Sequence, residues 1–289
     1  MQFAAMFYPL LAVLIWAMNA VVNKLSTGVV EPETISFYRW FFAFLILTPF
    51  CLKKSIKEWQ TIKPYLAKLA FLGLLGMALY QCLAYYAAYT ISATMIGIFI
   101  SLIPLLTIIL SLFILKTPIT LGLIIGSALS FFGIIWLISG GMPGILFEVG
   151  VGQGELMMLV AASAYALYGV LTKKWQIRLS VWQSLYWQII FGMIILLPLF
   201  WLAVDRAITS DNIGLILFAG IPASIIAPFL WIKGVAFLGP NKTALFMNLS
   251  PLLTALISIV VLHESLESYH YIGGAVSLTG VMIAQRFSQ

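Results

Sequence analysis

The chain has 289 residues, 63% of them hydrophobic and only 8% charged, with a formal net charge of +6. That much apolar surface exceeds what a soluble core of this size can hide, which excludes a water-soluble protein and places the chain in a bilayer. The basic surplus is gathered at particular places along the chain, so it speaks for orientation in a membrane and not for nucleic acid.

A spanning helix needs about 20 apolar residues to cross about 30 Å of hydrocarbon. No part of the sequence alternates apolar and polar residues as barrel strands do, so the expected architecture is an all-α integral membrane bundle. In chain order the predicted spans are 5–25, 34–52, 66–89, 92–115, 119–139, 154–172, 180–204, 212–238, 241–262 and 268–286, ten in all. The first has no basic residue ahead of it and no small-residue cleavage site, and is read as a retained helix. The third and fourth share one uncharged run, Leu69 to Leu115, folded at "TISAT" (Thr90 to Thr94). Loops run to about a dozen residues at most, which leaves no room for a soluble domain. Cys51, near a helix end, and Cys82, mid-helix, are not expected to form a structural disulfide.

Threading these spans puts Lys53, Lys54, Lys57, Lys63, Lys68, Lys116, Lys173, Lys174, Arg178, Lys242 and Arg286 on one side. The other side receives Lys24 and Arg206 with Glu31, Glu33, Glu148, Glu155, Asp205, Asp211, Glu264 and Glu267. Excess Lys and Arg marks the cytoplasmic face, so both termini are expected inside.

"SLIPLLT" (Ser101 to Thr107) and "NLSPLLT" (Asn248 to Thr254) stand 147 residues apart. The same offset pairs Gly73 with Gly220, Gly126 with Gly273, Ala128 with Ala275, Ser130 with Ser277 and Gly133 with Gly280. Nearer the N-terminus an offset of 149 pairs Ala12 with Ala161, Lys24 with Lys173, Phe42 with Phe191 and Pro49 with Pro198. The chain thus reads as a duplication: a first repeat over 1–140, an outer loop over 141–153 and a second repeat over 154–289. Each repeat has five spans, an odd number, so the second copy enters the membrane from the opposite side and the repeats are inverted. Inverted repeats can exchange conformations about a midplane site, which is the logic of a carrier working by alternating access.

Three stretches carry a resemblance: "FYRWFFAFLILTPF" (Phe37 to Phe50), "GELMMLVAASAYALYGVLTKK" opening the sixth span, and "GPNKTALFMNLSPLLTALISIVVLHESLESYHYIGGAVSLTGVMIAQR" across the ninth and tenth. With its Gly-Pro break, central proline, Glu264 just past the helix end and Gly-rich last span, the chain resembles the drug/metabolite transporter superfamily, specifically its EamA-type ten-helix branch. One departure is that Lys116 and Thr117 stand where the second repeat has His263 and Glu264. The resemblance implies a basket in which helices 1 to 4 and 6 to 9 surround a central cavity, with helices 5 and 10 outside. It also implies export or exchange of small metabolites such as amino acids across a bacterial inner membrane.

Polar side chains in hydrocarbon are expensive unless paired, so those near the midplane are candidate substrate contacts. They are Trp16 and Asn19 on helix 1, their repeat counterparts Tyr165 and Tyr168 on helix 6, and Tyr80, Gln81 and Tyr85 on helix 3. Ser101 and Asn248, which open the two proline phrases, join Trp187 and Trp231 as further aromatic and polar surface. The competing reading makes such residues packing, interhelical hydrogen bonds or interfacial belts, as for Trp182 and Trp201. Arg39 and Lys233 are the cations placed well inside spans, either snorkelling to headgroups or forming a structural pair, or else binding a carboxylate or gating. Pro104 and Pro251 break helices 4 and 9 and are candidate hinges.

No Asp or Glu falls centrally in a predicted span, which favours facilitated diffusion or exchange over proton coupling; the glutamates at the mouths, Glu31, Glu33, Glu155 and Glu264, are read as solvated. Neutral or zwitterionic metabolites, including aromatic amino acids, suit the aromatic and sparsely polar surface. Uptake of choline or another quaternary ammonium compound is an alternative that aromatic faces permit. A lipid-modifying membrane enzyme is a second: "HESLESYH" (His263 to His270) gathers the two histidines, yet lacks the HExxH spacing. No catalysis, metal or cofactor is expected. "GLIIG" (Gly122 to Gly126) either supports a weak homodimer or packs helix 5 in its own bundle, the latter being preferred.

Overall fold

The computed structural model describes residues 2–116, 118–145, 150–238, 243 and 245–286. Thr117, Glu148, the Gly239–Pro240 break and Lys242, all used above, lie outside the described residues. The described residues form ten helices: α1 (Gln2–Leu25), α2 (Pro32–Lys57), α3 (Trp59–Ala87), α4 (Ala93–Ile114), α5 (Leu121–Ile138), α6 (Gln153–Trp175), α7 (Val181–Leu202), α8 (Ile213–Leu238), α9 (Phe246–Leu262) and α10 (Ser268–Arg286). Eight are long and apolar enough to cross a membrane, α9 is a shorter apolar helix, and the described residues contain no strand. The protein is an all-α, multi-pass membrane protein.

Local chemistry sets the helix ends. Ser92, Thr120 and Ser180 accept from the backbone N–H of Met95, Leu123 and Gln183 at the starts of α4, α5 and α7, filling donors that a helix start leaves open. Lys24 Nζ donates to Ala88 O at 2.7 Å and Ile91 O at 3.0 Å, placing a cation on the carbonyl end of α3. α4 and α9 both close on left-handed residues, Lys116 (φ 56°) and His263 (φ 54°), which are repeat counterparts.

Packing follows the duplication. α1 packs on α8 and α9, while its counterpart α6 packs on α3 and α4. α2 leans on α8 as α7 leans on α3, and the pairs α2 with α7, α4 with α9, and α5 with α10 each join a helix to its own counterpart. This is the pattern two inverted five-helix repeats make when related by a twofold axis in the membrane plane.

The α5–α10 pair is a backbone-to-backbone crossing. A Cβ on Gly133 would lie 2.5 Å from Ser277 N and 2.7 Å from Gly273 O; one on Gly280 would lie 2.4 Å from Ser130 N. Ser130 and Ser277 share a hydrogen bond of 3.2 Å across it. Gly126 of "GLIIG" faces Gly280 and Ala284 of the same chain, so that glycine serves the bundle itself. Beyond α5, α10 touches chiefly α4, and the pair lies outside the other helices.

Four interruptions depart from regular helix. α3 widens into a π-segment over Gly73–Leu79 and α8 over Pro222–Ile226, which the offset of 147 superimposes. α4 breaks at Leu102 and restarts at Ile103; α9 passes from a 3₁₀ turn, Leu245–Leu249, into α-helix at Ser250. The restarts are again counterparts, with Pro104 and Pro251 in the first turn, where a missing N–H costs least.

Candidate functional site

π-segments leave main-chain carbonyls without the usual i+4 donor, and in a bilayer those carbonyls need other partners. Side chains supply them here. Trp40 Nε1 donates to Met77 O at 2.7 Å in the α3 segment, and Trp16 Nε1 donates to Ala223 O at 3.2 Å in the α8 segment. Ser224 Oγ donates to Ala219 O at 2.7 Å. Missing side chains let the helices close in: a Cβ on Gly220 would lie 3.0 Å from Arg39 O, and one on Gly73 only 2.6 Å from Gln188 O.

Arg39, next to Trp40, completes the grip. Its Nε donates to Ser224 Oγ at 2.7 Å, and its Nη1 donates to Gln81 Oε1 at 2.6 Å and Tyr85 OH at 3.4 Å. Two consecutive residues of α2 thus hold both π-segments, Trp40 that of α3 and Arg39 that of α8. Arg39 is 2% exposed. The snorkelling alternative is therefore corrected: the side chain points into the bundle, where three hydrogen-bond acceptors lie within reach. A cation at the centre of a membrane helix costs about 2.5–3.5 kcal/mol on insertion scales. No carboxylate offsets it, since the one ion pair among the described residues joins Lys54 and Glu58.

An aromatic wall stands nearby. Tyr80 of α3 lies 4.7 Å from Tyr165 of α6, and Tyr165 lies 5.4 Å from Tyr168, centroid to centroid. Tyr168 rests on Gly76, where a Cβ would sit 3.0 Å from its ring. On α1 and α8, Trp16 and Trp231 pack at 5.5 Å. The structure therefore joins Arg39 with Gln81, Tyr85 and Ser224, and Tyr80 with Tyr165 and Tyr168, while Trp16 reaches the α8 segment that also carries Ser224.

Other candidates sit apart. Asn19 is buried on α1, donating to Asn23 Oδ1 at 3.3 Å, with its own Oδ1 unpartnered. Ser101 is 1% exposed and donates to Ile98 O at 2.6 Å within its own helix. Asn248 is half-buried in the 3₁₀ turn of α9. Trp187 packs on Trp59 at 5.7 Å towards the lysine-rich end. Lys233 is exposed, its Nζ 5.6 Å from the centre of the Phe229 ring; the turn of α8 carries it outward, away from Arg39.

The mouth glutamates are not simply solvated, which corrects the sequence reading. Glu264 accepts from Ala93 N at 2.7 Å, Thr94 N at 3.2 Å and Thr94 Oγ1 at 2.8 Å, tying the end of α9 to the start of α4. Glu31 accepts from Val204 N at 2.9 Å, and Glu33 accepts from the Tyr86 hydroxyl. Sequence reasoning also missed Ser224 and Trp40. Pro222, in the middle of an apolar span, was the available signal for an irregular segment there.

Two cavities flank the α2–α7 pair. One of about 440 Å³, lined by Glu31, Glu33, Tyr86, Tyr89 and Val204 among others, opens at the end away from the lysines. The other, about 470 Å³, is lined by Leu47, Phe50, Lys54 and Trp182 among others at the lysine-rich end. Neither is lined by Arg39 or the tyrosine wall.

Comparisons agree with this architecture. The profile of the "EamA-like transporter family" matches residues 3–139 and 152–285. The chain is 25% identical over 267 residues to "Uncharacterized transporter YyaM" of Bacillus subtilis, covering 90% of this chain and 87% of that one. It is 28% identical over 229 residues to "Protein PecM" of Dickeya dadantii, covering 78% and 75%. It is 24% identical over 259 residues to an "S-adenosylmethionine uptake transporter" of Rickettsia prowazekii, covering 88% and 83%. A solved crystal structure shares the fold, with a TM-score of 0.65 over 97% of this chain and 95% of that one at 18% identity.

Proposed function

The chain belongs to the EamA-like transporter family, and from that premise we propose that it is a secondary carrier for small neutral or zwitterionic metabolites, in particular amino acids including aromatic ones, working by alternating access. That it is a membrane transporter and not an enzyme is common to the family and its named relatives. The repeats, 1–140 and 154–289 joined by an outer loop at 141–153, act as the two rocking halves. The lysine-rich face is cytoplasmic, with both termini inside a bacterial inner membrane, and transport runs as export or exchange.

One observation carries the substrate class: hydrogen-bonding groups from α2, α3 and α8 converge on Arg39, and Tyr80, next to Gln81 on α3, begins an aromatic wall with α6. Small-ligand sites combine such apolar surface with few polar groups. The relative named for S-adenosylmethionine uptake supports an amino-acid head, which that molecule carries beside an aromatic base. Choline-like cations fit less well, because Arg39 puts a positive charge with no ion-pair partner beside the same wall.

A counterflow screen in proteoliposomes tests this, with amino acids, choline-like cations and nucleobases as competitors. Competition by amino acids is expected. Competition by quaternary ammonium compounds alone would move the assignment to the alternative.

A further inference from the structure

We infer that Arg39 is the substrate's carboxylate anchor, held in this conformation by Gln81, Tyr85 and Ser224 and completed by the acidic group of an incoming amino acid. This deepens the carrier reading and rests on it.

Arginine stays charged in any protein environment, so the energetic problem it poses inside the bundle cannot be solved by losing a proton. All the acceptors it meets are neutral side chains. The acid nearest in α2, Glu33, is engaged by Tyr86. Among the described residues nothing accepts from Nη2, while Nε and Nη1 are taken up by Ser224, Gln81 and Tyr85. Two N–H donors therefore remain at one end of the planar fork, both on Nη2, where a carboxylate oxygen would accept a charge-assisted hydrogen bond.

The fork is also well placed. Gly220 lets α8 press on the Arg39 backbone, and Trp40 anchors the neighbouring residue to Met77 O, so the guanidinium is fixed by packing on two helices. An amino acid bound there would set its side chain towards Tyr80, Tyr165 and Tyr168.

The repeat counterpart of Arg39 under the offset of 149 is Gln188. It is 3% exposed, donates from Nε2 to Ser184 Oγ at 2.8 Å, and leaves Oε1 unpartnered. The twofold frame thus carries its positive charge once. Substrate polarity is set by that asymmetry, with one carboxylate position served in both access states.

The test pairs each amino acid of a panel with its amide, in counterflow into proteoliposomes holding the full-length wild-type protein. The acid should out-compete its amide by at least about tenfold. Arg39→Gln should abolish this preference while residual exchange persists, and Arg39→Lys should retain part of it. Equal competition by acid and amide in the wild type overturns the anchor, whether or not Arg39→Gln folds, as does a preference that survives Arg39→Gln. Exchange of carboxyl-free solutes alone refutes the anchor and leaves the carrier standing; if no solute exchanges, the carrier reading itself fails.

Discussion

At the scale of single residues, the centre of the molecule is organised by Arg39 and Trp40, and one end of it by Glu264. A carboxylate on the first N–H groups of a helix adds charge-assisted hydrogen bonds to a favourable helix dipole. Glu264 does this for α4 from outside the helix, while Thr94 also meets Ser258 of α9 at 2.9 Å. Glu264→Ala should lower stability by about 1–2 kcal/mol, read as a fall in thermal midpoint in detergent; Glu264→Gln should recover part of it, and an unchanged midpoint in both would remove the contact from the account. On the aromatic wall, Tyr168→Ala should weaken apparent substrate affinity by about three- to tenfold, measured by competition, while Tyr168→Phe should change it little. The polar identities of these residues were legible, because Asn, Gln, Ser and Arg stand out in apolar spans. Which of them meet was not, since Ser224 and Arg39 are 185 residues apart and no periodicity links them. Arg39 lies near a helix end in sequence, which made snorkelling look affordable; burial by α3 and α8 decides otherwise.

At the scale of elements, the spans were readable from apolar length alone, and observed ends differ mostly where basic residues prolong a helix past the hydrocarbon, as at Lys57 of α2 and Lys63 of α3. The π-segments were not readable. One inserted residue shifts a helical face, and in α3 and α8 nearly every face is apolar, so no polar stripe records the shift. The proline breaks were readable, because proline cannot donate and crowds the preceding turn. If those breaks are hinges, Pro104→Ala and Pro251→Ala should each slow turnover several-fold with little change in apparent affinity. Unchanged turnover in both variants would leave them as static joints. The α5–α10 crossing has a different role. Gly133→Leu would drive a side chain into Ser277 and Gly273 of α10, and the expected outcome is loss of folded protein, with a midpoint fall well beyond that of Glu264→Ala.

At the scale of the whole molecule, duplication is the feature most fully visible in sequence, since "SLIPLLT" and "NLSPLLT" hold the register that the π-segments and helix restarts then reproduce. What breaks the symmetry is functional chemistry: Arg39 against Gln188, and Glu264 against a residue of another type. With no acidic partner for Arg39 in the centre, substrate flux should be insensitive to an imposed pH gradient, and proton movement locked to substrate would contradict that. The most direct test of the central claim is a counterflow time course in proteoliposomes preloaded with unlabelled amino acid. A carrier with one site exposed alternately to each side should accumulate external labelled amino acid transiently above its equilibrium level, and only in preloaded vesicles. Entry without overshoot, or no entry of any small solute, would contradict the account.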